Sequence, residues 1–300
     1  MKVKFICCLF LLTQILFAQE INQTVTYGKG KLMLLGKTNK KAFENKNFEW
    51  YQKNYDAYIT NNNVIKELKA PLKDYKIKVF YGSWCGDSKR ELPRFYKVLD
   101  KAKVDFNTVE AIAVDRKPEA YKTSPNGEEK GLNIHRVPTF IFYKGDKEVA
   151  RIVEYPKQDF ERDMLAIVKG EKYTPNYGVV FFLDKLIKEK GLEELKKNLN
   201  TYVSYLAEYT KGSRELNTYG YKLLRSNQLE KALVVFELNT KMYPYKYNVF
   251  DSYAEALHKA KMYEEAIKNY GQVLALNSKQ TEVLDIIASI KKETELIKSK

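Results

Sequence analysis

Three hundred residues, 44% of them hydrophobic and 13% aromatic, are enough for about two domain cores and exclude disorder on the scale of a domain. The formal charge of +14 invites a nucleic-acid reading, but acids interrupt the bases, as in Asp184-Lys185 and Lys188-Glu189-Lys190, and uninterrupted basic runs are short. A solvated lysine-rich surface accounts for that pattern, so no nucleic-acid partner is expected.

Residues 1–18 read as a secretory signal peptide: Lys2 and Lys4 precede an apolar run from Phe5 to Phe17, and Ala18 suits the last position before cleavage. The run is too short for a membrane span, and no other segment is long and apolar enough for one. The mature protein is therefore expected to be exported, periplasmic or extracellular, with no transmembrane segment. Cys7 and Cys8 would leave with the signal, which makes Cys85 the single thiol of the mature chain. An exported chain with one cysteine has no internal disulfide, and its thiol is either reactive or a buried relic.

Residues 19–70 read as an N-terminal helical extension with a short strand at Lys31 to Leu35. Tyr51, Tyr55 and Tyr58 fall at helical spacing, and Val64, Ile65 and Leu68 resume a helical face after Asn61-Asn62-Asn63. An aromatic stripe of this kind is expected to be a packing face rather than a ligand groove.

From Ile77 the pattern changes to strands alternating with helices. Ile77 to Tyr81 predicts a strand, Ser88 to Lys101 an amphipathic helix, and Phe106 to Val114 a second strand. After a polar loop from Arg116 to Lys130, Thr139 to Tyr143 and Glu148 to Val153 flank a hairpin turn at Lys144-Gly145-Asp146, and Gln158 to Lys169 closes the unit as a helix. This order implies an α/β sandwich, a mixed sheet flanked by helices, over residues 71–172.

At the first strand–helix junction stands Gly82-Ser83-Trp84-Cys85-Gly86-Asp87-Ser88. A thiol placed at a helix N-terminus meets unpaired backbone N–H groups and the positive end of the helix dipole, which favour the nucleophilic thiolate. Lys89 and Arg90 act in the same sense and Asp87 in the opposite one.

Trp84-Cys85-Gly86-Asp87-Ser88 after a strand, with Val137-Pro138-Thr139 about fifty residues later opening a strand–turn–strand–helix ending, resembles the thioredoxin superfamily. Glu91-Leu92-Pro93 is similar to the exported branch represented by TlpA and ResA. The resemblance covers roughly Pro71 to Gly170. It implies a cis Pro138 packed against the Cys85 turn, a Val137 backbone able to pair with a bound peptide, and a helix kinked at Pro93. It also implies thiol–disulfide chemistry with Cys85 as nucleophile and Trp84, Gly86, Asp87, Val137 and Pro138 as positioning residues. Two departures limit it: Ser88 stands where a resolving cysteine would be, and Val79 where cytosolic thioredoxins bury a proton-shuttling carboxylate. Cys85-Gly86-Asp87-Ser88 is similar also to a monothiol glutaredoxin motif, but Trp84, the export signal and the Val137-Pro138-Thr139 order favour the thioredoxin side. Neither a cofactor nor a metal is expected. Three residues before Pro138, His135 is a candidate base for Cys85, although an ordinary loop histidine is the simpler reading; His258 reads as a helix-surface or packing residue.

Residues 173–212 predict connecting helices. Beyond them Gly220 and Ala254, Leu223 and Leu257, Ala232 and Ala266, and Phe236 and Tyr270 each lie thirty-four apart. Small residues at this period allow close helix approach and large ones fill the grooves. Residues 213–300 thus resemble two tetratricopeptide-like repeats with a capping helix at Glu282 to Ile297. The repeats imply either a partner-binding surface or a structural brace.

The expected function is monothiol exchange or client capture at Cys85, with Ser88 hydrogen-bonding the sulfur and exported proteins or peptides bearing thiols or disulfides as partners. The alternative is a non-catalytic interaction scaffold.

Overall fold

In the computed structural model, which describes residues 21–299, the first half of the chain forms sheets and the second half packs helix on helix. The expected signal peptide over 1–18 lies outside the described residues. Strands β1 (Thr24–Tyr27) and β2 (Lys31–Leu34) make an antiparallel hairpin. They are followed by β3 (Gly36–Thr38), α1 (Trp50–Ala57), α2 (Asn62–Leu68), β4 (Tyr75–Tyr81), α3 (Gly86–Ala102), β5 (Val109–Ala113), β6 (Thr139–Lys144), β7 (Lys147–Val153) and α4 (Phe160–Val168).

The main sheet has the order β3-β5-β4-β6-β7, with β4 and β5 parallel and the other neighbours antiparallel. A parallel pair needs a crossover, which α3 supplies, whereas β6 and β7 need only the Gly145-Asp146 turn, where Gly145 takes φ 59°. This is the α/β sandwich expected from the alternation of elements. Successive residues of a strand face opposite sides. Ile77, Val79 and Tyr81 of β4 accordingly join α1 to α4 in the main core, and Phe80 joins Ile112, Val114, Ile134, Val137 and Ile141 on the other face.

The segment read as a helical extension over 19–70 is more closely integrated than that description. Its Gly36-Lys37-Thr38 adds a strand to the edge of the main sheet, and Leu34, Phe43, Phe48, Tyr51, Ile65 and Leu68 are buried in the same core as α3. Apolar side chains this numerous cannot stay in water, and the α3 face of the sheet is where they are covered. Tyr51 stacks on Phe43 with ring centroids 4.2 Å apart. Tyr55 donates to Asp100 at 2.7 Å and Tyr58 to Glu161 at 2.6 Å. The tyrosine stripe is thus a packing face, with the Tyr55 and Tyr58 hydroxyls paired and the Tyr51 hydroxyl buried without a hydrogen-bond partner among the described residues. Helix α2 starts where Asn61 accepts from the backbone N–H groups of Asn63 and Val64, an N-cap written in the asparagine run.

The helical half comprises α5 (Gly178–Lys190), α6 (Leu192–Lys197), α7 (Leu199–Ala207), α8 (Arg214–Arg225), α9 (Leu229–Met242), α10 (Tyr247–Lys259), α11 (Tyr263–Leu276) and α12 (Glu282–Lys298). Within the connecting segment, α6 and α7 are separated at Asn198. Helices α8 and α9, α9 and α10, and α10 and α11 pack consecutively. Among the described residues no helix is long and apolar enough to cross a membrane.

The thirty-four-residue spacing has a visible packing consequence. A Cβ on Gly220 would lie 2.5 Å from the ring of Phe236, which is fully buried. Alanine has the better helix propensity, by about 1 kcal/mol, while overpacking a core costs about 1–3 kcal/mol. Because the obstacle is a buried aromatic ring rather than the end of a flexible side chain, the packing cost wins. Gly220→Ala is expected to lower stability by about 1 kcal/mol, read as a reduced midpoint in urea unfolding; an unchanged or raised midpoint would show that the α8–α9 contact has room to spare.

Candidate functional site

The end of β4 turns through Gly82, Ser83 and Trp84 into Cys85, which occupies the N-cap of α3 with extended backbone angles. Cys85 N–H donates to Gly82 O at 2.8 Å, and the first helical bond runs from Lys89 N–H to Cys85 O at 3.0 Å. Pro93 lies inside α3 and has no N–H for the carbonyl of Lys89. Gly82 is required by its neighbour: a Cβ there would sit 2.6 Å from the Trp84 indole. That indole donates through Nε1 to Val114 O at 2.9 Å and packs on Tyr121, with ring centroids 5.6 Å apart.

Cys85 is partly exposed and is the free cysteine of the described residues. Its thiol donates to Val137 O at 3.5 Å, and the Val137–Pro138 peptide bond is cis. The fold therefore brings together Trp84, Cys85, Val137 and Pro138 from motifs fifty residues apart. Ser88 is fully buried, and its Oγ accepts from Gly82 N–H at 3.1 Å; among the described residues no hydrogen bond joins it to the Cys85 sulfur. Asp87 is held by Arg90 at 2.9 Å. Gly86 begins the helix with open space where a Cβ would be.

Buried carboxylates near this helix have structural partners. Glu91 takes Arg90 at 2.6 Å and Arg94 at 3.3 Å, and Glu161 takes Tyr58 and the Asn61 N–H. Val79 is fully buried at the position of the missing shuttle carboxylate. Among the described residues no group of three histidine, cysteine or acidic side chains is placed to hold a metal ion.

His135 is buried at the junction with the helical half rather than at the thiol. Its ring stands edge-on between Tyr177 and Tyr219, with centroids 5.6 and 5.8 Å away. Nδ1 faces Asn133 O at 3.3 Å, and Nε2 has no hydrogen-bond partner among the described residues. Burial pushes its pKa down to about 3, with neighbouring Lys122 and the Arg151 and Arg136 guanidinium groups acting in the same direction. His258, by contrast, pairs with Glu293 at 3.1 Å on the surface between α10 and α12.

A second layer of residues surrounds the motif and comes from distant parts of the chain. Lys122 donates to His135 O at 2.5 Å, and burial pushes its pKa down to about 8; repulsion from Arg136 adds to this, while a Cys85 thiolate opposes it. Arg136, next to Val137, bonds Glu154 at 3.2 Å and Thr218 of α8 at 3.0 Å. Arg225, at the end of α8, lies over the Tyr121 ring 5.1 Å from its centroid. Helix α8 thus touches both loops that frame the cysteine. The sequence carries no periodic signal for this layer, which arises from docking of one half on the other.

The His135 environment fixes an acid response. Since the folded pKa is depressed, the unfolded chain binds the extra proton, and stability falls as pH drops below about 6.5 toward about 3. Between pH 6.5 and 5.5, above the range in which most carboxylates titrate, this group contributes a loss on the order of 1 kcal/mol. His135→Phe, which keeps a ring between the two tyrosines, is expected to flatten that limb of the stability profile measured by urea unfolding; a limb of unchanged slope would contradict the assignment.

With this geometry in view, comparison with known proteins bears on the domain that carries the thiol. A thioredoxin family model matches residues 37–165. Thioredoxin H2 of Arabidopsis thaliana is 30% identical over 102 residues, covering 33% of this chain, and the chain spans 65% of that relative's length. The mixed sheet, the Cys85 turn and this match together make residues 37–165 a thioredoxin-like domain, followed by a helical C-terminal region.

Proposed function

We propose that the protein is exported and carries out monothiol thiol–disulfide exchange, or captures clients, through Cys85. The observation that supports this reading is the position of the sulfur: partly exposed, at the N-terminus of α3 and 3.5 Å from Val137 O beside the cis peptide bond. In the proposed reaction a Cys85 thiolate attacks one sulfur of a client disulfide. The Cys85–client S–S bond forms, the client S–S bond breaks, and the second client sulfur leaves as a thiolate. Release requires another thiolate, from the client or a separate thiol, which attacks the client sulfur and expels Cys85. When the releasing thiolate is the client's own, a client disulfide is re-formed and there is no net oxidation or reduction, so the chemistry is shuffling or capture.

Ser88 has a hydroxyl in place of a resolving thiol and cannot attack the mixed disulfide. Its assigned part is to hold the turn through Gly82 N–H, and the export assignment rests on the form of residues 1–18. Residues 213–300 are read as tetratricopeptide-like repeats, and the contacts of Arg136 with Thr218 and of Arg225 with Tyr121 favour a bracing part for α8.

Two measurements on the mature chain test this. Mild oxidation in the presence of exported proteins is expected to give mixed disulfides on non-reducing gels that Cys85→Ser abolishes; their absence would favour the non-catalytic scaffold. Ser88→Cys, a nearly isosteric change, is expected to shorten the lifetime of a preformed mixed disulfide by about tenfold or more, because it installs the missing intramolecular attack. An unchanged lifetime would show that position 88 does not control release.

A further inference from the structure

Between the 119–133 loop and helices α5, α8 and α9 lies a cleft of about 450 Å³. Lys122, Lys130, Lys188, Lys222, Arg225 and Lys231 line it, against only Glu119, Glu129 and Asp184. Several of these charges are already satisfied: Asp184 pairs with Lys231 at 2.6 Å and Lys188 at 3.2 Å, Lys122 is bonded to His135 O, and Glu129 accepts from Ser124. Lys130, Lys222 and Arg225 have no carboxylate partner among the described residues. Burial pushes the Lys222 pKa down. An ammonium desolvated in advance has already lost part of its hydration, so an arriving carboxylate meets it without that cost.

The cleft adjoins the thiol. Tyr121 lines it, packs on Trp84 beside Cys85, and carries Arg225 over its ring. We propose that this cleft docks an acidic stretch of the client polypeptide whose cysteine meets Cys85, so that the helical region selects substrates by charge. The proposal rests on the thiol reading of Cys85 for its client, and on the cleft alone for its binding. A polypeptide is favoured over a nucleic acid because the aromatic rings of the cleft already have partners: Tyr121 packs on Trp84 and has Arg225 over its ring, and Tyr219 is fully buried against His135. Base stacking would have to compete with these contacts.

The test uses the full mature chain and a short, fluorescein-labelled, cysteine-free peptide rich in Asp and Glu, read by anisotropy. The expected result is binding that weakens with salt and becomes about tenfold weaker in the Lys222→Gln, Arg225→Gln double variant, while Lys222→Arg keeps it. Equal binding of a Ser/Gly peptide, or an affinity unchanged in the double variant, would overturn the proposal. Tighter binding of a single-stranded oligonucleotide, lost in that variant, would overturn it in favour of nucleic acid. Cys85→Ser is expected to retain peptide binding, which keeps this result separate from the thiol chemistry. Cysteine peptides with acidic and neutral flanks that form mixed disulfides at the same rate would sink the docking site and leave exchange at Cys85 standing.

Discussion

The Cys85 turn depends on one constraint: backbone groups taken out of water must find partners. The N–H of Gly82 bonds to Ser88 of the following helix, and the N–H of Leu34 reaches Ser83 Oγ at 2.8 Å from the N-terminal hairpin. The carbonyl of Val114, after β5, takes the Trp84 indole, and that of Val137 takes the thiol. Four separate parts of the chain therefore close around four residues, Gly82 to Cys85. The sulfur is held in place because each closing group also has a position in the sheet, a helix or the strand connections.

The same logic extends outward to the helical region. Arg136 precedes Val137 and ties that loop to α8 and to Glu154, whose other oxygen accepts from Tyr177. His135 fills the space between two tyrosines of the helical half and is kept neutral by burial. A rotation of α8 would have to disturb the loop that presents the Val137 carbonyl to the thiol. The two halves are thus coupled through two adjacent residues, His135 and Arg136, one by packing and the other by its hydrogen bond to Thr218.

Much of this was legible in residue order. The strand, the helix and the hairpin of residues 77–169 follow from apolar periodicity, and the pairing of Cys85 with Val137-Pro138 follows from two motifs read together. Strand β3 was not legible, because three residues carry too little alternation to register and their extension is imposed by pairing with β5. The integration of residues 36–72 into the main core was missed for a related reason: an amphipathic face shows that it needs a partner, not which one. Ser88 was expected to hydrogen-bond the sulfur; in the structure its oxygen accepts from the Gly82 backbone N–H. Tyr121, Lys122, Arg136 and Arg225 were invisible as a group, since a loop residue and a helix end a hundred residues apart meet only after docking.

The order of the sheet has a consequence for behaviour at high concentration. Open sheets can recruit further strands along their edges. Here one edge is β3, only three residues long, and the other is β7, which bears Lys147, Glu148 and Arg151 and faces α5 across a shared hollow. A three-residue ladder offers too few hydrogen bonds to template a second copy, and a charged strand flanked by a helix resists the flat approach that stacking requires. The architecture that frames the thiol therefore also protects the chain against edge-to-edge aggregation.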